Sequence, residues 1–164
     1  MNLSDIPPRT GPQPRTTKHI PHEQLDQNSD PVMFKKLSDW MFSQDGVREE
    51  PSGISVPGAR AMVLEGREVA TPRAFMIGRE FAHIHPEPLP GSLHLNLAPD
   101  DADFVVAQGW GENHFLVDRG VLPPGTIMVY APRDDDDLAV IQTIITQSMS
   151  FAKTASIACG CGGH

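Results

Sequence analysis

The chain has 164 residues, which fits one domain with flanking segments, since domains commonly run about 100–150 residues. Its net charge of −8, with four aspartates in a row at 134–137, repels a phosphate backbone and argues against nucleic acid as a partner. No window reaches the roughly 18–20 apolar residues of a membrane span, and the N-terminus lacks the apolar core of a secretory signal; the expectation is a cytoplasmic protein without a membrane partner.

Residues 1–30 read as a disordered tail: Pro7, Pro8, Pro12, Pro14 and Pro21 are scattered among polar residues with few apolar ones to bury. His19 and His22 fall in it and are expected to be solvated. Asp30-Pro31 then opens a helix, with Asp30 as N-cap and Pro31 in the first turn. Met33, Leu37, Trp40 and Met41 give that helix one apolar stripe to about residue 43. Short strand-like pieces follow at 59–65, 74–77 and 80–85. In the last of these, regular alternation puts Phe81, His83 and His85 on one side and Glu80, Ala82 and Ile84 on the other. Pro86 to Gly91 is a loop. Leu93-His94-Leu95-Asn96-Leu97 is the clearest strand, with three leucines one way and His94 and Asn96 the other. A short helix starts at Pro99, ends near Gln108 and is followed by Gly109-Trp110-Gly111; a last strand covers 127–130. The aspartates at 134–137 suit the N-terminus of a long helix striped by Leu138, Ile141, Ile145 and Met149. The fold class is therefore α+β: a curved antiparallel sheet packed by an N-terminal and a C-terminal helix, with a short inserted helix. The domain spans 31–152, and 153–164 is a flexible Gly/Cys tail whose Cys159 and Cys161 sit among glycines.

Four of the seven histidines, His83, His85, His94 and His114, fall between Arg79 and Arg133. A His-x-His pair on one strand, with a third histidine on the returning strand, shares a cavity. Imidazole near an enol or phenol can remove its proton, and Arg79 or Arg133 can hold the resulting anion because a guanidinium stays charged. Trp110 between two glycines can lie against an aromatic ring. The same histidines also make a ligand set for zinc or iron. Against metal, the spacing fails the Gly-led His-x-His…Glu pattern of cupin dioxygenases. Glu80, on a regular strand, also faces away from His83 and His85. The core is expected to hold no metal.

Four blocks carry a family resemblance: Arg79-Glu80-x-Ala82-His83-x-His85, Leu93-His94-Leu95-x-Leu97, Gly109-Trp110-Gly111-x-x-His114 and Tyr130-Ala131-Pro132-Arg133. In order and spacing they resemble the fungal luciferase family and its bacterial luciferase-like relatives, over about residues 55–152. The resemblance implies an oxygenase that uses molecular oxygen and no cofactor on an enolic or aromatic small molecule such as 3-hydroxyhispidin, a styryl-pyrone. It implies His83, His85, His94 and His114 for base and peroxide chemistry and Arg79 and Arg133 for the oxygen anions. Trp110, Tyr130, Asn96 and Glu80 would line the substrate site. Two alternatives stand beside it: a histidine-ligated metal-dependent dioxygenase or hydrolase, and a non-catalytic small-molecule-binding domain. The oligomeric state is open.

Overall fold

The computed structural model describes residues 1–66 and 72–157. Six strands form one sheet: β1 Val47–Pro51, β2 Arg60–Leu64, β3 Glu80–Ile84, β4 Leu93–Asn96, β5 Gly111–Asn113 and β6 Thr126–Val129. Their order is β1-β2-β3-β4-β6-β5, and every neighbouring pair is antiparallel. The helices are α1 Pro31–Phe42, α2 Pro99–Ala107, α3 Phe115–Asp118 and α4 Asp135–Ile157. This is the expected α+β class.

The local signals explain the ends of the helices. Asp30 accepts a hydrogen bond from the Met33 N–H at 2.8 Å, and Pro31 fills the first turn of α1. Asp134 accepts from the Asp137 N–H at 2.8 Å, so the acidic run caps α4 as well as matching its dipole. Helix α4 continues past the expected end at 152 to Ile157. It packs with α1 on one face of the sheet. There Ile141, Ile144 and Ile145 meet Leu37, Met41, Ile84, Leu93, Leu95 and Leu97 in one apolar core. The two cysteines lie outside the described residues.

Residues 1–30 pack against the domain, and here the expected tail departs from the structure. Leu3 and Ile6 join the apolar core on the side of α4, while His22, buried like Gln24, reaches the opposite face of the sheet beside His94. The Gln24 side chain accepts from the Ala131 N–H at 2.9 Å, and Ser29 Oγ donates to the Pro132 carbonyl at 2.8 Å. Backbone hydrogen bonds, among them Thr17 N–H to the Glu23 carbonyl and Leu25 N–H to the Arg15 carbonyl, fold the segment on itself. Few apolar residues are needed because polar anchors do the holding.

Strand β3 also departs from regular alternation. Met62 pairs with Ala82 but Val63 pairs with Glu80, so Phe81 is an extra residue in the ladder. Phe81 and Ala82 therefore both join the core, and Glu80 turns to the face of His83.

Candidate active site: a row of buried histidines

Strands β3 and β4 place His83 directly opposite His94. Their rings meet through His83 Nε2 and His94 Nδ1 at 3.0 Å. The other nitrogen of His83, Nδ1, lies 2.9 Å from Glu80 Oε1, which the bulge has brought round. Glu80 also accepts from Ser52 Oγ at 2.6 Å and from the Gly53 N–H at 3.0 Å. On the far side, His94 Nε2 lies 3.0 Å from His22 Nδ1, and His22 Nε2 lies 2.7 Å from Glu112 Oε1. His85, two residues along β3, sets Nδ1 3.2 Å from Ser92 Oγ. His114 caps α3: its Nδ1 accepts the Leu116 N–H at 3.2 Å. Its ring centroid is 4.7 Å from those of both His22 and His94. All five histidines are buried.

Burial decides the charge of several of these rings. It drives His85 down to about 3 and His114 to about 4, and it holds His94 well below the ordinary histidine value; neighbouring imidazoles reinforce each shift. These three rings are neutral near pH 7. Burial pushes the Glu80 carboxyl up, but hydrogen bonds from His83, Ser52 and the Gly53 N–H outweigh it and keep the group below its ordinary value. Glu112 behaves alike, with His22, Thr16 and Lys18 outweighing burial. Burial and the adjacent Glu112 raise the Tyr130 phenol.

His22, His83, His85, His94 and His114 all line a cavity of about 520 Å³. Its remaining walls are largely apolar: Ile54, Val56 and Pro57 from the β1–β2 connection, Met76 from the segment before β3, Leu116, Val121 and Leu122 in and after α3, and Ile20 and Pro21 from the N-terminal segment. Ile20, Ile54 and Val121 are exposed and form its rim.

The other expected site residues lie elsewhere. Trp110 is a core residue whose indole N–H donates to the Pro7 carbonyl at 2.7 Å. Its neighbour Gly111 serves the close approach of β5 to β6, because a Cβ there would collide with the Met128 carbonyl oxygen. Asn96 is buried between Thr126 Oγ1 (2.9 Å) and the Arg73 carbonyl (3.1 Å). Arg79 Nε donates to the Leu64 carbonyl at 2.7 Å. Arg133 grips Asp137 at 2.6 Å and donates to the Thr10 carbonyl at 2.7 Å. Tyr130 supports Glu112 from behind, its hydroxyl 3.2 Å from Oε2. Glu80 acts on the cavity through His83. Sequence reasoning passed over His22 and Glu112. No periodicity marks His22, and Glu112 sits in a strand of three residues, too short to show a pattern.

Residues 78–148 match the Luciferase domain family. The chain is 32% identical to luciferases of Armillaria gallica and Armillaria ostoyae, over 91% of its own length and 62% of theirs. It is 28% identical to a luciferase of Neonothopanus nambi, over 91% of this chain and 61% of that one. The chain thus spans about three fifths of the length of the curated relatives it matches. No solved structure matches it. The matched stretch holds His83, His85, His94 and His114, and by these matches the chain is similar to the fungal luciferases.

Proposed function

We propose that the protein is a luciferase-like oxygenase. In this reading it combines molecular oxygen, without an organic cofactor, with an enolic or aromatic small molecule such as a hydroxylated styryl-pyrone. The observation that carries the reading is the cavity: about 520 Å³ with mostly apolar walls and a floor of buried histidines. Such a volume suits a planar molecule of two rings, and convergent polar groups on one side orient it. An imidazole lone pair on the floor takes the enol proton. The neutral His114 ring, whose Nδ1 accepts from the backbone, carries its proton on Nε2 and can donate to the substrate's oxygen anion. Apolar walls strengthen both interactions by excluding water. The electron-rich enolate carbon then adds oxygen to give a peroxide anion, with the substrate as the two-electron reductant. The arginines take no direct part here, because neither Arg79 nor Arg133 lines the cavity.

The deciding experiment incubates the protein with 3-hydroxyhispidin and related pyrones in air while recording oxygen uptake and photons. Substrate-dependent oxygen uptake that His114→Ala lowers at least tenfold is expected. Uptake no faster than buffer for every pyrone would remove the oxygenase reading.

A further inference from the structure

The row Glu80–His83–His94–His22–Glu112, with its three rings neutral, would hold one proton fewer than its contacts use. Four close contacts link its five groups, at 2.9, 3.0, 3.0 and 2.7 Å. Each needs one proton to be a hydrogen bond. Ionised carboxylates bring none, and a neutral imidazole brings one. With all three rings neutral, the carboxylates take the His83 Nδ1–H and the His22 Nε2–H. His94 then has a single proton for two neighbours. When it donates from Nε2 to His22, the lone pairs of His94 Nδ1 and His83 Nε2 face each other at 3.0 Å.

His85 adds a third lone pair at the same place. When its Nδ1–H donates to Ser92 Oγ, Nε2 is the nitrogen left without a proton. One ring nitrogen from each of His83, His85 and His94 lies within 4.8 Å of the others. Bonds of about 2.0–2.1 Å from a common cation to histidine nitrogens set those nitrogens roughly 3–3.5 Å apart. An added proton would also close the row, but it would give His85 nothing to bind; a cation uses all three nitrogens.

We infer that His83, His85 and His94 form a three-histidine site for a divalent first-row transition-metal ion on the cavity floor. Each ligand has a partner that fixes its ring: Glu80 for His83, Ser92 for His85, and His22 backed by Glu112 for His94. The all-nitrogen set suits zinc, iron or cobalt and disfavours calcium and magnesium, which seek oxygen. Three protein ligands leave a position open to the cavity, where a substrate oxygen can bind. A second group, His22, His94 and His114, also has ring nitrogens within 4.8 Å. It fits less well, because His114 Nδ1 already accepts the Leu116 N–H and the neutral ring's proton must then occupy Nε2. This inference departs from the sequence-based expectation of a metal-free core. That expectation set Glu80 on the wrong face and left His22 in solvent. It does not rest on the oxygenase reading.

The test uses the full chain with Cys159→Ser and Cys161→Ser, so that tail thiols cannot bind the probe. The protein is stripped with chelator and titrated with Co(II), followed by its visible absorption, with Zn(II) in competition. One equivalent is expected to bind. His85→Ala should abolish binding and His114→Ala should leave it within a fewfold. Ser92→Ala and Glu112→Gln, which keep every imidazole and guard against misfolding, should each weaken it roughly 10–100-fold. Absence of saturable Co(II) and Zn(II) binding would overturn the site, as would binding lost in His114→Ala but kept in His85→Ala. Cobalt binding without pyrone oxidation would uphold the site and remove only the oxygenase reading.

Discussion

Glu80 and His83 meet at 2.9 Å on one face of a strand, although they are three residues apart and regular pleating would set them on opposite faces. The bulge at Phe81 makes the difference, and one residue of slip supplies the carboxylate that orients the first histidine of the row. Removing that carboxylate strands three donors at once: His83 Nδ1–H, Ser52 Oγ–H and the Gly53 N–H. Glu80→Ala should lower stability by about 1–3 kcal/mol, the cost of buried donors left unpaired, in urea unfolding. A loss below about 0.5 kcal/mol would mean that these groups find water or other partners.

Trp110 should behave as a core residue. Trp110→Ala is expected to cost about 3–5 kcal/mol in denaturant unfolding, through the vacated volume and the orphaned Pro7 carbonyl. An unchanged midpoint, together with weaker binding of aromatic ligands, would instead return the indole to the cavity wall.

Docking of the first thirty residues can be read from Gln24, which is fully buried. Its side chain accepts the Ala131 N–H and donates to the Asp26 and Gln27 carbonyls. Gln24→Ala should destabilise the domain by about 1–3 kcal/mol and speed hydrogen exchange at Ala131. A free tail would give no change in either.

Acid should loosen the metal-free protein before its carboxylates titrate. His85 at about 3, His114 at about 4 and His94, also depressed, take up protons more readily unfolded, where histidine has its ordinary value of 6.5. The unfolded state therefore binds more protons below about pH 6.5, so stability is full above that pH and falls as pH drops. Each such histidine contributes a slope of up to about 1.4 kcal/mol per pH unit. Denaturant midpoints at constant ionic strength should be flat from pH 8 to 7 and decline between 6 and 5. A flat profile down to 5 would show that the rings are not buried as neutral groups.

Much of this architecture was legible because its local signals are strong. Asp30-Pro31 marks the start of α1, the leucine alternation in 93–97 aims His94 away from the core, and the aspartates open α4. Strand β1 was not legible: Val47-Arg48-Glu49-Glu50-Pro51 is a largely exposed edge strand with no buried face to leave a pattern. The bulge was silent as well, since Phe81 is as apolar as a regular strand would allow and only the pairing partner reveals the slip. Docking of the N-terminal segment rests on long-range polar contacts, such as His22 to Glu112 across ninety positions. Composition reads such a segment as disordered because it counts apolar residues and cannot see partners.

The contact between His22 and Glu112 bears on what counts as a minimal unit. The stretch that defines the family match, 78–148, leaves out the first thirty residues as well as β1 and β2. Cut out alone, it would keep Glu112 without its imidazole, His83 without the β2 strand beside it and Trp110 without Pro7. A fragment drawn to those limits is a label for recognising relatives; a fragment that keeps these contacts has to reach back to the buried Leu3.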